Sequence, residues 1–358
     1  MQNRTFELAH LGWSEWLEAQ ASLQCRTEDT VARVAAVDRD QFLLVNQSGQ
    51  FRAKMSGNYL YRHQPSHEFP GVGDWVCVEK NPTDDFGLVH ALLERRTSLR
   101  RRSVGDLTGH QMIAANIDYV IIAQSCHYDF NLKRLERYLV MVTEGGAEPW
   151  VLLTKTDLVE PAVLASHLAE IRAAGITAPV LSLSNVTREG VDELVAKLLP
   201  GKTYCFVGSS GVGKSTIINA LVGRDRLETK GVSATGEGRH TTVRRELILL
   251  DSGALVIDNP GMREFGILGA ESGIGGSFAD IVLLTAGCRY RNCGHTTEPG
   301  CAVFTALEAG EIGREHYDNY LKLNEESAFY QMSYAEKRKK DRDFGKFIKS
   351  AKKDLERD

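Results

Sequence analysis

The fold class that the sequence predicts is multidomain α/β, with a small β-barrel first, an α/β domain in the middle and helices at the end. Three observations predict it. The octet Gly208-Ser209-Ser210-Gly211-Val212-Gly213-Lys214-Ser215 stands between a β-branched and aromatic run, Thr203 to Val207, and an apolar helical run, Thr216 to Val222. Short β-rich runs broken by turn residues fill the stretch from Val31 to Leu93. Cys288, Cys293, His295 and Cys301 cluster just ahead of a helical C-terminus.

The chain has 358 residues, more than one hydrophobic core usually serves, so several units are expected. They are an extension at 1–30, the barrel at 31–95, the α/β domain at 96–270 and the C-terminal domain at 271–358. No apolar run approaches the ~20 residues of a membrane span. Glu7, His10, Glu15 and Glu18 interrupt any apolar core at the N-terminus, so no signal peptide and a cytoplasmic location are expected. A net charge of −4 argues against a uniformly basic nucleic-acid binder. Seven cysteines in such a chain are not expected to form a disulfide framework, and Cys25, Cys77, Cys126 and Cys205 are expected in cores.

Trp13, Trp16 and Leu17 have helical spacing and suggest a short amphipathic segment. The runs Arg33–Val37, Phe42–Val45, Phe51–Met55, Val72–Val78 and Leu88–Leu92 suit an OB-fold barrel, a fold that often binds RNA, and suit a spacer barrel equally. Tyr59, Tyr61, Arg62 and His63 read either as a stacking patch or as loop residues over the barrel's end. Arg95, Arg96, Arg100, Arg101 and Arg102 form a basic linker that would contact phosphates or serve as a solvated hinge. The α/β domain then opens with an Ile117–Ala123 strand, a helix carrying Leu132, Leu135, Leu139 and Val140, and a Trp150–Leu153 strand.

In the octet, the glycines let the backbone fold round a phosphate, and the N-terminus of the following helix, which begins near Thr216, favours negative charge. Lys214 is suited to the β- and γ-phosphates and Ser215 to Mg²⁺. Thr154-Lys155-Thr156-Asp157 after the Trp150–Leu153 strand is close to N-K-x-D. One carboxylate at Asp157 accepts both adjacent donors of guanine, which adenine lacks. Thr154 in place of Asn is expected to weaken the bridge between loops. Ser184-Asn185 after a Val180–Leu183 strand supplies a second loop for the base.

Residues 236–245 read G-E-G-R-H-T-T-V-R-R, a loop placed to sense a γ-phosphate, with Thr242 favoured over Thr241 as the residue completing the Mg²⁺ shell. The Ala254–Ile257 strand ends in Asp258-Asn259-Pro260-Gly261, with Asp258 near Mg²⁺ and the Gly261 N–H at the γ-phosphate. Met262 stands where many GTPases carry a Gln that positions water. Methionine cannot orient water, which makes His240 the candidate for that task. The base-reading loops precede the phosphate loop, the reverse of the usual order, so the domain reads as a circularly permuted P-loop GTPase domain. The Asp258–Gly261 loop then leads almost directly into the C-terminal domain.

Cys288-x₄-Cys293-x-His295-x₅-Cys301 offers three thiolates and one imidazole, the four ligands of a closed, structural Zn²⁺ site. Arg289, Tyr290, Arg291 and Asn292 within it combine basic, stacking and hydrogen-bonding groups. From residue 337 to 358 ten Lys/Arg face five Asp/Glu, a basic tail that suits a phosphate-lined surface or simply a soluble helix.

Taken together, the sequence resembles the circularly permuted GTPases of the RsgA/YjeQ family, which act on the bacterial small ribosomal subunit. The resemblance is carried by the base loop ahead of the phosphate loop, G-R-H-T-T at 238–242, D-x-P-G at 258–261 and the Cys/His spacing. It implies an OB-fold barrel, a permuted GTPase domain and a zinc-binding helical domain. It further implies a monomeric, ribosome-stimulated GTP hydrolase that binds GTP and GDP at residues 154, 155, 157, 184, 185, 208–216, 241, 242, 258 and 261. Its partners would be the 30S subunit and 16S rRNA, its cofactors one structural Zn²⁺ and Mg²⁺ with GTP, and its role a checkpoint in late 30S maturation from which it then dissociates.

Overall fold

A computed structural model describes residues 7–38, 41–62, 69–81, 86–102, 110–223, 245–259, 270–332 and 336. Five strands, β1 (Thr30–Asp38), β2 (Gln41–Asn46), β3 (Gly49–Met55), β4 (Trp75–Lys80) and β5 (Phe86–Leu92), close a barrel in the order β1-β2-β3-β5-β4 with β4 returning to β1. Alternation in β3 (Gly49, Phe51 and Ala53 inward, Gln50 and Arg52 outward) shows why these runs become strands: one side chain in two enters a core of Val34, Leu44, Phe51, Val76 and Val89. A short helix, α2 (Gly57–Arg62), lies beside β5.

After the barrel comes a hairpin of β6 (Ser98–Arg102) and β7 (His110–Ala115). The α/β domain follows: β8 (Tyr119–Ser125), α3 (Leu132–Glu144), β9 (Glu148–Thr154), α4 (Pro161–Ala173), β10 (Val180–Leu183), α5 (Val191–Lys197), β11 (Thr203–Val207), α6 (Lys214–Val222), β12 (Glu246–Leu249) and β13 (Leu255–Asp258). Strands β10-β9-β8-β11-β13 lie parallel in that order and β12 closes the edge antiparallel. Val120, Ile122, Val151, Leu153, Cys205 and Val207 are buried on one face of this sheet and Ile121, Leu152, Tyr204, Phe206 and Val256 on the other, as continuous apolar runs require. β12 also pairs with β1 through Glu246 and Ala36, so barrel and α/β sheet form one eleven-stranded surface.

The C-terminal domain is helical: α7 (Glu271–Ser277), α8 (Ala279–Thr285), α9 (Ala302–Glu308) and α10 (Arg314–Gln331). Its core of Ile274, Phe278, Ile281, Val303, Tyr320 and Leu323 includes Val140 of α3. At Gly273 a side chain would meet the Val140 carbonyl at 2.2 Å, so only glycine lets α7 press this closely on α3. No described helix is long and apolar enough to cross a membrane.

Several expectations are corrected. Trp13 lies outside the helix of the N-terminal segment, α1 (Glu15–Gln24), and packs edge-on against Trp75 of the barrel at 4.7 Å. Cys25 at the end of α1 is disulfide-bonded to Cys77 in β4 rather than packed as a free thiol, because α1 folds back along the barrel wall. Tyr59 is buried and leaves Tyr61 exposed, so they form no shared stacking patch. Of the basic linker, Arg100, Arg101 and Arg102 lie on the hairpin strand β6, and Arg95, ahead of it, pairs with the fully buried Asp74 at 2.8 Å. His63 and residues 337–358 lie outside the described residues.

Arg33 joins these parts. Its buried guanidinium donates to the carbonyls of Gly73 (3.1 Å), Leu11 (2.5 Å) and Asn116 (2.8 Å), which belong to the barrel, the N-terminal segment and the start of the α/β domain. Burial lowers its pKa to about 10, against the pull of Asp118 and Asp74, so it stays charged at neutral pH. A lysine has no planar fork to span three acceptors. Arg33→Lys is expected to leave two carbonyls unpaired and destabilise the chain by about 2 kcal/mol in denaturant unfolding. An unchanged midpoint would deny Arg33 this joining role.

Candidate active site

The loop after β11 turns at Gly208, Gly211 and Gly213, all with positive φ. At Gly208 (φ +136°) a side chain would also strike the Ala123 carbonyl of β8 at 2.2 Å. Glycine is therefore the residue that fits between two adjacent parallel strands here. Ser209 is half-buried, Ser210 exposed, Val212 buried, and Ser215 and Thr216 open the first turn of α6, half-buried and exposed respectively. Lys214 folds back under the loop, and its ammonium donates to the carbonyls of Gly208 (2.7 Å) and Ser209 (2.6 Å). Burial drags its pKa down to about 8, while the charges of Asp258 and Asp129 oppose the drop. Among the described residues the ammonium hydrogen-bonds to carbonyls alone, which leaves it poised for an anion.

Asp258 ends β13 beside it, 2% exposed, and neither carboxylate oxygen has a hydrogen-bond partner among the described residues. Burial pushes its pKa up to about 6, opposed by Lys214. Next to it Asn259 donates to the Cys205 sulfur at 2.8 Å, and burial pushes that thiol up to about 12. An orphaned, buried carboxylate beside a phosphate loop fits the place of a Mg²⁺ ion carried by a nucleotide.

From the other side of β11, the guanine-type loops reach the same loop. Thr154, fully buried at the end of β9, donates its hydroxyl to the Val212 carbonyl at 2.7 Å. The bridge expected to be weakened is made here by the threonine hydroxyl. Lys155 takes a left-handed conformation (φ +58°) that starts a short 3-10 turn, Thr156–Leu158. Asp157 accepts from the Ser184 hydroxyl at 2.5 Å. That hydroxyl in turn accepts from the backbone N–H groups of Val186 and Thr187, each 3.1 Å away. Asn185 sits against Gly213, its side-chain amide 3.1 Å from where a Cβ would be. Residues 224–244 and 260–269, which include His240, Thr241, Thr242, Gly261 and Met262, lie outside the described residues.

Loops that are far apart in the chain, and in rotated order, thus meet at the C-terminal ends of neighbouring parallel strands, where open α/β sheets take their ligands. A family model described as RsgA GTPase matches residues 92–268. The small ribosomal subunit biogenesis GTPase RsgA of Opitutus terrae is 39% identical over 332 residues, covering 90% of this chain and 90% of its own. The chain belongs to the RsgA family of GTPases. RsgA 2 of Listeria monocytogenes is 41% identical over 299 residues, 83% of this chain and 84% of its own. Among solved structures, YjeQ from Thermotoga maritima aligns with a TM-score of 0.62 at 25% identity, over 84% of this chain and 99% of its own. YloQ, described as a circularly permuted GTPase, shares the fold with a TM-score of 0.60 at 24% identity over 86% of this chain and 98% of its own. As an RsgA-family enzyme the chain hydrolyses GTP.

The RsgA-family chain carries a second centre in its C-terminal domain. Cys288, Cys293, His295 and Cys301 each present one ligand atom, all within 4.8 Å of one another. His295 holds a left-handed turn (φ +60°), and its carbonyl accepts from the Tyr317 hydroxyl at 2.6 Å, which ties the loop to α10. Cys301 caps α9, its sulfur accepting from the Phe304 N–H at 3.3 Å. Three sulfurs and one imidazole converging in this way are a donor set for one metal ion.

Asp129, in the loop between β8 and α3, escaped sequence reasoning. Its side chain pairs with Arg134 of α3 at 2.9 Å. No motif marks it. The available signal was its position after a parallel strand adjacent to β11.

Proposed function

We propose that this chain is a GTPase of small ribosomal subunit biogenesis that binds the 30S subunit through 16S rRNA, hydrolyses GTP on it during late maturation and then dissociates. The observation that carries the reading is the Thr154-to-Val212 hydrogen bond, which locks a guanine-type loop onto the phosphate loop despite the rotated order of the chain. Relatives named small ribosomal subunit biogenesis GTPase support the choice of partner.

In this reading Asp157, oriented by Ser184, accepts the two adjacent donors of guanine, while Lys155 lies along the base and Asn185 closes its far side. The loop from Gly208 to Thr216 wraps the phosphates, and Lys214 exchanges its two carbonyl partners for β- and γ-phosphate oxygens. Ser215 and Thr242 would hold Mg²⁺ directly and Asp258 through water; the ion, when bound, neutralises charge building on the phosphate oxygens. His240 orients the attacking water, with Thr241 beside it and the Gly261 N–H at the γ-phosphate. The Cys288, Cys293, His295 and Cys301 set holds one structural Zn²⁺, and the basic tail contacts rRNA. The chain works as a cytoplasmic monomer.

Phosphate release measured with GTP and with ATP, alone and with purified 30S, 50S or 70S particles, tests the proposal. GTP turnover raised by 30S particles alone is expected. Stimulation by 50S particles, or equal turnover of ATP, overturns it. Asp157→Asn is expected to shift preference from guanosine to xanthosine nucleotides, because an amide presents a donor to the base where the carboxylate accepted; competition binding reads the shift, and an unchanged guanosine preference removes Asp157 from the role.

A further inference from the structure

We propose that Glu298 is a positioning residue of the C-terminal metal centre: its carboxylate gathers the backbone N–H groups on both sides of His295 and so keeps the imidazole aimed at the cysteine sulfurs. The inference rests on the reading of Cys288, Cys293, His295 and Cys301 as one structural Zn²⁺ site. Glu298 is not one of those four ligands. Its Oε1 accepts from the Gly294 N–H at 2.7 Å. Its Oε2 accepts from the N–H groups of Thr296 at 2.9 Å and Thr297 at 3.1 Å, and from the Thr296 hydroxyl at 3.3 Å. Residues 294 and 296 flank His295, so the two oxygens bracket it. The approach is close: a side chain at Gly294 would meet Oε1 at 2.7 Å and push the carboxylate away. An exposed carboxylate can take its hydrogen bonds from water, and here one short loop supplies them instead.

His295 needs such a bracket. Its φ of +60° is a left-handed conformation that a residue with a side chain keeps only where its surroundings hold it there. That turn sets where the ring points: Nδ1 lies 3.5 Å from the Cys288 sulfur and 3.8 Å from that of Cys301. Bonds of about 2.3 Å to sulfur and about 2.0 Å to nitrogen at a tetrahedral angle separate the two donor atoms by about 3.5 Å, so the imidazole already stands at the distance a tetrahedral ion requires. The sulfurs are placed by other means. Cys301 caps α9, and the N–H of Cys293 closes a turn on the Tyr290 carbonyl at 3.3 Å. Tyr317 holds the His295 carbonyl from α10, and Glu298 holds the N–H groups on either side. A ligand fixed before the ion arrives loses less freedom on binding it, which raises affinity without adding a fifth donor.

Zn²⁺ affinity of the full-length protein, read by competition with a chromogenic chelator, tests this. Glu298→Gln replaces one acceptor oxygen by an NH₂ group that faces backbone donors, and is expected to weaken Zn²⁺ binding about ten- to hundredfold. Glu298→Asp keeps the charge but is one methylene too short to reach both flanks of His295, and should fall between that variant and wild type. The comparison that separates positioning from general support of the loop uses His295→Ala, in which the ligand served by Glu298 is gone. Adding Glu298→Gln to it should cause no further loss of affinity. Losses that add in the double variant overturn the proposal, because Glu298 would then act on the loop as a whole. Should Glu298→Gln fail to fold, the same comparison made with Glu298→Asp, with and without His295→Ala, decides. A wild-type protein that takes up no Zn²⁺ refutes the zinc reading itself, whereas tight wild-type binding that Glu298→Gln leaves unchanged refutes only the part given to Glu298.

Discussion

His316→Leu is expected to destabilise the protein by about 3–5 kcal/mol and to remove a step in its pH-stability profile. His316 of α10 is buried where three helices meet: Nδ1 lies 2.5 Å from Glu136 of α3, and Nε2 lies 3.2 Å from Asp280 of α8. Asn319 donates to the other Glu136 oxygen, and Phe278 stacks on the imidazole at 4.7 Å. Burial alone would lower the histidine's pKa. The hydrogen bonds to Asp280 and Glu136, and the charges of both, outweigh it and raise the pKa to about 9. Since the folded value lies above the unfolded 6.5, the contribution to stability is fully present below pH 6.5 and lost as pH rises through 9. Leucine of similar bulk keeps the apolar contacts but leaves Glu136, 1% exposed, with an amide as its remaining partner among these groups.

Denaturant unfolding from pH 6 to 10 reads both parts of the prediction. The wild type should lose stability between 6.5 and 9, and the variant should start low and lack that slope. Equal slopes would mean that the imidazole is not the titrating group. The consequence is mechanical as well. α3 follows β8, the neighbour of the phosphate-loop strand β11, and it grips the C-terminal domain through Glu136 and through Arg137, whose guanidinium makes paired bonds to Glu326 at 2.8 and 2.7 Å. The sequence pointed to the Asp258–Gly261 loop as the route from nucleotide to C-terminal domain. The structure adds α3, a helix that follows the neighbouring strand and packs against the C-terminal domain.

What was legible in the sequence was local. Turn residues such as Gln47-Ser48-Gly49 bracket the barrel strands because a hairpin needs them within a few residues, and the phosphate loop, the guanine-type loops and the Cys/His set each fit in one short window. Contacts between segments distant in sequence were not legible. Arg33 looks like any polar residue on a strand, and its role depends on carbonyls 22, 40 and 83 positions away. Cys25 and Cys77 are 52 residues apart, so their pairing depends on where α1 lies. The joining of β12 to β1 belongs to the same class, since an edge strand carries no mark of the partner it will take. At Thr154 the departure from N-K-x-D suggested a weakened bridge, because motif logic counts amides. Geometry shows a hydroxyl at the right distance from Val212.

Lys214→Met is expected to weaken GTP binding by more than about a hundredfold while raising the stability of the nucleotide-free protein by about 1 kcal/mol. The opposite signs come from one group. Without nucleotide, Lys214 is 7% exposed, its ammonium has two carbonyls for hydrogen-bond partners among the described residues, and burial holds its pKa near 8 rather than 10.5. A base with a lowered folded pKa binds fewer protons folded than unfolded between those values, so stability rises with pH across that window and is reduced below it. Methionine of similar length removes the buried charge at neutral pH and gives up two hydrogen bonds, each of modest net worth, which leaves a small gain. With a triphosphate present the same charge gains strong, short hydrogen bonds to oxyanions, and the loss on substitution becomes large. Melting curves with and without GTP therefore should cross: the variant melts higher alone and lower with nucleotide. A variant less stable than wild type in both conditions would mean that Lys214 serves the fold of the loop rather than standing ready for the phosphate.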